Sequence, residues 1–234
     1  MNISRKLEIE KLQNENRELF DHNVLHILNF QILYEEFKEN KLMGEADYAS
    51  FNEAMCVHPV TKKVFDKHFI HTRAARHGES TENYIQKVIH PLDYLFNKEH
   101  KYIVLWFGED MFCQMNLLTL LAFLKQTEYQ GNVFLNSFRE DEFKVQQTKL
   151  ELSEYTSAYK DVFIHHRKTS VKQFPVMYQA INLYLDMSDE DNEVVKYISK
   201  HTDLPTSELL QRLFIRFPTI GYGDTQYLEL INKI

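Results

Sequence analysis

Carboxylates, a thiol and an amide are concentrated in one short segment of this 234-residue chain. An apolar run ends at Gly108, and it is followed closely by Glu109, Asp110, Cys113 and Gln114. Paired carboxylates can act as a general acid or base, or bind a hydroxyl, an amine or a metal cation, whereas they repel phosphate. The segment therefore predicts the position of a site better than it predicts the chemistry of that site.

Simple structural roles also account for two of these side chains. Asp110 at the start of a helix would cap the free backbone N–H groups, which contributes about 1 kcal/mol to stability. Cys113 would lie in the first helical turn, where the helix dipole favours a reactive thiolate, but the neighbouring carboxylates oppose that effect. Free cysteines are also commonly buried. Capping by Asp110 and packing of Cys113 are the favoured interpretations.

Known catalytic and binding motifs are absent from the sequence. Cys56 and His58 together with Cys113 could hold a metal ion, but they lack the Cys-x₂₋₄-Cys or His-x₃₋₅-His spacing of zinc ligands. We therefore expect no metal site. Neither a glycine-rich nucleotide-binding fingerprint nor a Gly-x-Ser-x-Gly elbow occurs in the chain, so the sequence leaves any cofactor unknown.

Alternating strand and helix patterns define the elements that would position these residues. Strands are predicted near 24–28, 51–56, 102–107 and 132–138, and the apolar 102–107 run is typical of a strand buried on both faces. These patterns predict an α/β domain over 22–147 that is Rossmann-like, with a mainly parallel sheet and helices on both faces. A helical domain is expected over 148–234, since no confident strand follows residue 148 or so.

In open α/β sheets, ligands bind where the turns after parallel strands converge. A pocket at that edge is therefore the expected functional site. Its candidate residues are Asn29, Glu53, Cys56, Glu109, Asp110, Cys113 and Gln114.

Residues 1–21 form a polar, helical extension in which apolar side chains follow a 3-4-3 spacing. Ile9, Leu12, Asn16 and Leu19 could form the seam of a short coiled coil and so support a homodimer. Two heptads are short for that role. Packing of this helix on its own domain is the favoured alternative.

The composition narrows the classes of partner. Acidic residues outnumber basic ones, 34 to 27, and the net charge of −7 makes broad nucleic-acid binding unlikely. Two cysteines are too few for a disulfide framework. The chain lacks the apolar segments of a signal peptide or a membrane span, so we expect a soluble, cytoplasmic protein.

Several segments together resemble an uncharacterised bacterial family. They are Leu25-His-Ile-Leu-Asn29, Glu53-Ala-Met-Cys56, the Leu105–Gln114 segment, and Leu204-Pro205 followed by Arg216-Phe-Pro218. The N-terminal part resembles domain of unknown function 1835, and the C-terminal part resembles domain of unknown function 3658. The resemblance covers roughly residues 23–234, and it draws attention to the same glutamates, aspartate, cysteines and glutamine named above.

This chain departs from the family pattern at two places. Where the family has Asn-Gly-Asp after the first strand, this chain has Asn29-Phe30-Gln31, so a glycine turn and a carboxylate are missing. Near the C-terminus the family resembles Gly-Leu-Ser-Arg-Thr-Glu, but this chain has Gly221-Tyr-Gly-Asp-Thr-Gln226. Any role of that arginine and glutamate is therefore not expected here.

The sequence leaves three classes of function open. The favoured class is a small-molecule-binding or sensory protein with a helical regulatory domain, because no catalytic or cofactor motif is present. The second is a hydrolase or transferase that uses Glu109 and Asp110 at the carboxyl edge of the sheet. The third is a transcriptional regulator that uses the C-terminal helices.

Overall fold

The computed structural model describes residues 3–138, 144–169 and 175–234. Within these described ranges, five strands form one sheet. They are β1 (Val24–Asn29), β2 (Asp47–Phe51), β3 (Tyr102–Gly108), β4 (Asn132–Phe138) and β5 (Val145–Leu150). Their order is β2-β1-β3-β4-β5; the first four are parallel, and β5 pairs antiparallel with β4. The expected α/β class and mainly parallel sheet are confirmed.

Strand β3 is buried on both faces, as its apolar run predicts. Ile103 and Leu105 face one hydrophobic cluster, whereas Val104 and Trp106 face the other. The indole Nε1 of Trp106 donates a hydrogen bond to Nδ1 of the buried His26 at 2.8 Å. Burial lowers the pKa of His26 to about 3, so this ring is a neutral partner in the core.

Helices connect and cover the strands. They are α1 (Ile3–Glu15), α2 (Gln31–Glu39), α3 (Lys67–Arg76), α4 (Thr81–Tyr84), α5 (Asp93–Asn97), α6 (Met111–Gln126), α7 (Tyr155–Tyr159), α8 (Pro175–Met187), α9 (Glu193–Ser199), α10 (Thr206–Arg216) and α11 (Asp224–Ile231). Between α4 and α5 the chain stays helical but becomes a π turn and then a 3₁₀ turn that contains Pro91. The sequence predicts a helix over 81–97 that is interrupted at Pro91, because proline has no backbone N–H, and this change of helix type agrees with that prediction. The sequence also predicts a helix over 170–186, and the start of that range lies outside the described residues.

The two faces of the sheet are covered by different helices. Side chains of α1, α2 and the 3₁₀ turn Arg17–Phe20 pack around Trp106 on one face. Helix α6 covers the other face and is buried almost throughout, because α7 and α8 pack against it. Buried side chains of α9, α10 and α11 belong to the same cluster as this second face.

The N-terminal helix packs on its own sheet. Ile9 and Leu19 of the predicted coiled-coil seam lie in the cluster around Trp106, and Leu12 is also buried. The structure therefore shows this helix packed on its own domain, which was the favoured alternative. A homodimer stays a prediction.

Two strands differ from the sequence prediction. Strand β2 ends at Phe51, where a strand over 51–56 was expected, and the apolar residues after it form a buried loop instead. Strand β5 was not predicted because it is a polar edge strand, in which only Leu150 is fully buried. The domain boundary expected after residue 147 falls within this strand.

No helix among the residues that the structure describes is long and apolar enough to cross a membrane.

Candidate functional site

Strands β1, β2 and β3 end at one edge of the sheet, here called the carboxyl edge. Because these strands are parallel and Asn29 pairs with Phe51, the turns that carry Glu53 and Glu109 leave from this same edge. The two turns therefore lie on the same side of the sheet, as the carboxyl-edge rule requires. Whether these residues act on a ligand stays a prediction.

Asn116 of α6, which the sequence analysis did not single out, links these turns. Its Nδ2 donates to Oδ1 of Asn29 at 2.9 Å and to the carbonyl oxygen of Glu53 at 2.6 Å. Its Oδ1 accepts from the backbone N–H of Met55 at 2.9 Å. Asn29 in turn donates to the Sγ of Cys113 at 3.0 Å. One buried amide thus joins the ends of β1 and β2 to the helix that follows β3.

Asp110 caps helix α6, as predicted. Its Oδ1 accepts from the backbone N–H of Cys113 at 2.8 Å. The N–H groups of Met111 and Phe112 donate to the carbonyl oxygens of Thr219 and Ile220 at 2.9 and 3.0 Å. The donors that would bind a phosphate at a helix N-terminus are therefore already paired within the chain.

Both thiols are poor nucleophiles. Burial raises the pKa of Cys113 well above its ordinary value, and the negative charge of Asp110 raises it further. Burial likewise raises the pKa of Cys56. The packing interpretation of Cys113 agrees with this geometry, since a thiol that stays protonated is unreactive.

Two further candidates have different surroundings. Gln114 is fully buried, and its Nε2 donates to the carbonyl oxygen of Gly108 at 2.7 Å. Its Oε1 has no hydrogen-bond partner among the described residues. Glu109 is half-buried in the turn after β3.

Glu53 lies at the centre of a buried polar cluster with Arg73, His77 and Tyr84, here called the Glu53 cluster. Its Oε1 accepts from Arg73 Nη2 at 2.7 Å and lies 2.9 Å from His77 Nε2. Its Oε2 accepts from Arg73 Nε at 3.2 Å and from the Tyr84 hydroxyl. Burial alone would raise the pKa of Glu53, but the charge of Arg73 and the hydrogen bonds from His77 and Arg73 lower it well below its ordinary value.

Arg73 also holds the loop that follows β2. Its Nη1 donates to the carbonyl oxygens of Val57 and His58 at 2.7 and 3.0 Å, and its Nη2 donates to that of Ala54 at 2.9 Å. The sequence carried a signal of this role: Arg73 follows Phe69 by four residues, which places a charged residue in line with a buried apolar side chain of α3.

A cavity of about 690 Å³, here called the edge cavity, opens beside the Glu53 cluster. Its apolar wall includes the Phe30 and Phe112 rings, whose centroids lie 5.0 Å apart. Its lining is contributed mainly by the turns after β1 and β2 and by the segment 77–91. The residues are Phe30, Gln31, Ile32, Asn52, Glu53, Ala54, His77, Glu79, Tyr84, Gln86, Lys87, Val88, Pro91, Phe112 and Gln226.

A second cavity of about 420 Å³ is lined by Cys56, His58, Tyr184 and Tyr222 among others. The predicted site residues are therefore distributed over different surroundings. Glu53 lines the edge cavity and Cys56 lines the second cavity, whereas the other five line neither of the two. Within the described ranges, no three His, Cys, Asp or Glu side chains are grouped so that they could hold a metal ion.

Comparison of this chain with protein-family models, with curated proteins and with solved structures gives no match.

Proposed function

We propose that this protein binds a small molecule in the edge cavity and that its C-terminal helices form a regulatory domain that responds to binding. The cavity itself is the observation that supports this proposal. Its volume of about 690 Å³ suits a metabolite-sized ligand, and it combines apolar walls with a few fixed polar groups. It also lies at the carboxyl edge of a parallel sheet, where α/β proteins commonly bind ligands.

The proposed fold is Rossmann-like with a helical C-terminal domain. The order β2-β1-β3-β4 reverses direction between β1 and β3, which is the topological feature of doubly wound sheets. We do not propose that a phosphate group of the ligand binds at the N-terminus of α6. The first N–H groups of that helix are paired with carbonyl oxygens of residues 219–220. The binding position lies beside β2 instead.

The C-terminal helices have direct routes by which they could respond to a ligand. Gln226 of α11 lines the edge cavity, and its Oε1 accepts from the backbone N–H of Gly223 at 3.0 Å. Phe112 lines the same cavity, and its N–H donates to Ile220 in the segment just before α11. A ligand that contacts Phe112 or Gln226 would therefore favour one position of α11 over another.

An enzymatic role for Glu109 and Asp110 has less support. Asp110 is engaged as the helix cap, and Glu53, the carboxylate that does line the cavity, already accepts hydrogen bonds on both oxygens. A general base needs a free lone pair within reach of its substrate. We therefore rank ligand binding above catalysis by these carboxylates.

A thermal-shift screen with nucleosides, sugars and aromatic amines and alcohols tests the proposal. A ligand at 100 times its Kd stabilises the fold by about 2.7 kcal/mol, which raises the Tm by roughly 5–10 °C. The exposed Gln86 lines the cavity, so Gln86→Trp should reduce the shift by filling the space. Gln211→Trp, at an exposed position of α10 outside the lining, is the matched control. Equal shifts in both variants would contradict binding at this cavity.

A further inference from the structure

We infer that the ligand of the edge cavity carries a hydroxyl or amine on a planar apolar group, and that Nδ1 of His77 accepts the hydrogen bond from it. This inference rests on the proposed function, because it names the chemistry of the same cavity. It depends on which nitrogen of His77 carries the proton and on what surrounds the ring.

The surrounding hydrogen-bond partners assign the proton of His77 to Nε2. This nitrogen lies 2.9 Å from Glu53 Oε1, which as a carboxylate oxygen can only accept. Arg73 Nη2 is also 3.1 Å away, but its two hydrogens are directed to Glu53 Oε1 and to the Ala54 carbonyl oxygen. Nε2 therefore donates to Glu53 and does not accept from Arg73.

In a neutral imidazole the other nitrogen is then an acceptor. Nδ1 of His77 has no hydrogen-bond partner in the ranges that the structure describes, while the side chain keeps 24% exposure and lines the edge cavity. By contrast, the carboxylate of Glu53 already accepts hydrogen bonds from five donors: the Ala54 N–H, two nitrogens of Arg73, His77 and Tyr84. His77 is thus the acceptor of this cluster that is left for a ligand.

The His77 ring is held in place before any ligand binds. It stacks on the ring of Tyr84 at a centroid distance of 6.2 Å, and the ring of His58 packs edge-to-face against it at 4.9 Å. A fixed acceptor loses little conformational entropy on binding, so its hydrogen bond contributes more fully to affinity.

The apolar wall and the charges define the rest of the ligand. The Phe30 and Phe112 rings favour a planar apolar group, which can pack face-on or edge-on against them. Glu79 and Lys87, the charged residues nearer the surface, form an ion pair with each other. The lining therefore offers no unbalanced charge for an ionic ligand, and a neutral molecule fits best.

The test uses paired probes in which methylation removes the hydrogen-bond donor and leaves the aromatic ring unchanged. Phenol is compared with anisole, and aniline with N,N-dimethylaniline, on protein labelled with ¹⁵N-histidine. Long-range ¹H–¹⁵N spectra report both nitrogens of His77. We expect phenol and aniline to move the Nδ1 resonance and to bind about fivefold more tightly than their methylated partners, the ratio given by one typical hydrogen bond.

Variants make the assignment specific. His77→Phe keeps a ring in the cavity wall but removes Nδ1, so the preference for phenol over anisole should disappear while anisole still binds. His68→Phe makes the same substitution at an exposed position of α3 that lines neither cavity, and it should keep the preference. If His77→Phe does not fold, the spectra of the unmodified protein still decide the question.

The possible failures are distinguishable. Equal binding of phenol and anisole, with an unchanged Nδ1 resonance, would overturn the inference and leave the edge cavity as a binding site. If none of the four probes changed the signals of residues that line the cavity, the proposed function would fail and this inference with it.

Discussion

Arg73 and Glu53 form a bidentate ion pair in the interior, with Nη2 2.7 Å from Oε1 and Nε 3.2 Å from Oε2. The side chains are 0% and 1% exposed. The remaining donors of Arg73 reach the carbonyl oxygens of Ala54, Val57 and His58. The pair therefore fixes the loop after β2, and different residues of this loop line the edge cavity and the second cavity.

Removing Arg73 should be strongly destabilising. Arg73→Met leaves the Glu53 carboxylate buried without its counter-charge, and breaking such a pair typically costs about 3–5 kcal/mol. The free energy of unfolding, measured with urea, checks this. Arg212→Met is the control, because Arg212 pairs with Glu208 at an exposed surface, where an ion pair contributes little and the loss should be much smaller. A similar small loss for Arg73→Met would contradict the structural role of the pair.

Glu53 should also contribute to acid unfolding. Its folded pKa lies below the ordinary value of 4.5, so its stabilising contribution is present above that pH and is lost as the pH falls through the folded pKa. The unfolding free energy of the unmodified protein should therefore decrease between about pH 4.5 and 3 more steeply than that of Glu53→Gln. Asp47, whose pKa is lowered by Lys98 and His100 although burial raises it, is present in both proteins and cancels. Equal slopes would show that Glu53 is not held as a carboxylate.

The sequence predicted the elements whose signals are local. The apolar 102–107 run became the central strand β3, and Asp110 became the cap of α6, because both depend on neighbouring residues in the chain. The position of β2 was wrong for a non-local reason. Ala54, Met55 and Cys56 are apolar because they are buried in a loop, and Arg73 and Asn116 hold that loop through its backbone.

The residues at the carboxyl edge show which spatial relationships a sequence can indicate. The carboxyl-edge rule placed Asn29, Glu53 and Cys113 in one region, and Asn116 connects them. Asn116 is 63 residues from Glu53, and Arg73 is 20 residues away on another element. No local pattern pairs residues at such separations, so the Glu53 cluster became visible only in the fold.

Phe30 occupies a backbone conformation that is essentially reserved for glycine, with φ 72° and ψ 152°. Its N–H donates to the Phe51 carbonyl oxygen at 3.2 Å, which holds this turn at the end of β1. Phe30→Gly and Phe30→Ala both lose the ring contact with Phe112, but only alanine keeps the strain. We expect Phe30→Gly to be the more stable variant, by about 1–2 kcal/mol, in urea unfolding.

At an ordinary helical position, the alanine variant should be more stable than the glycine variant. Ile32 in α2 is exposed, so Ile32→Gly should be less stable than Ile32→Ala by about 0.5–1 kcal/mol. If alanine is also preferred at residue 30, the turn does not store strain there.

Asp110 and Glu109 are neighbours with different expected effects on stability. Asp110→Ala removes the cap on the Cys113 N–H and should cost about 1 kcal/mol. Glu109→Gln should leave the denaturation midpoint nearly unchanged if the half-buried Glu109 side chain points into a solvated pocket. A loss near 2 kcal/mol for Glu109→Gln would instead identify Glu109 as a partner in a buried polar network.

Substitution of Gly221 tests how closely residues 219–221 pack against the start of α6. Its φ is +72°, and an added Cβ would lie 2.1 Å from Asp110 Oδ1 and 2.9 Å from Asp110 Cβ. Gly221→Ala should therefore push residues 219–221 away from the start of α6 and cost more than about 2 kcal/mol. In an Asp110→Ala background only the Cβ contact remains, so the second substitution should cost less. The double-mutant cycle should give a coupling of about 1 kcal/mol or more in urea unfolding. Additive losses would mean that the segment is held by its two backbone hydrogen bonds alone and that Asp110 does not constrain its position.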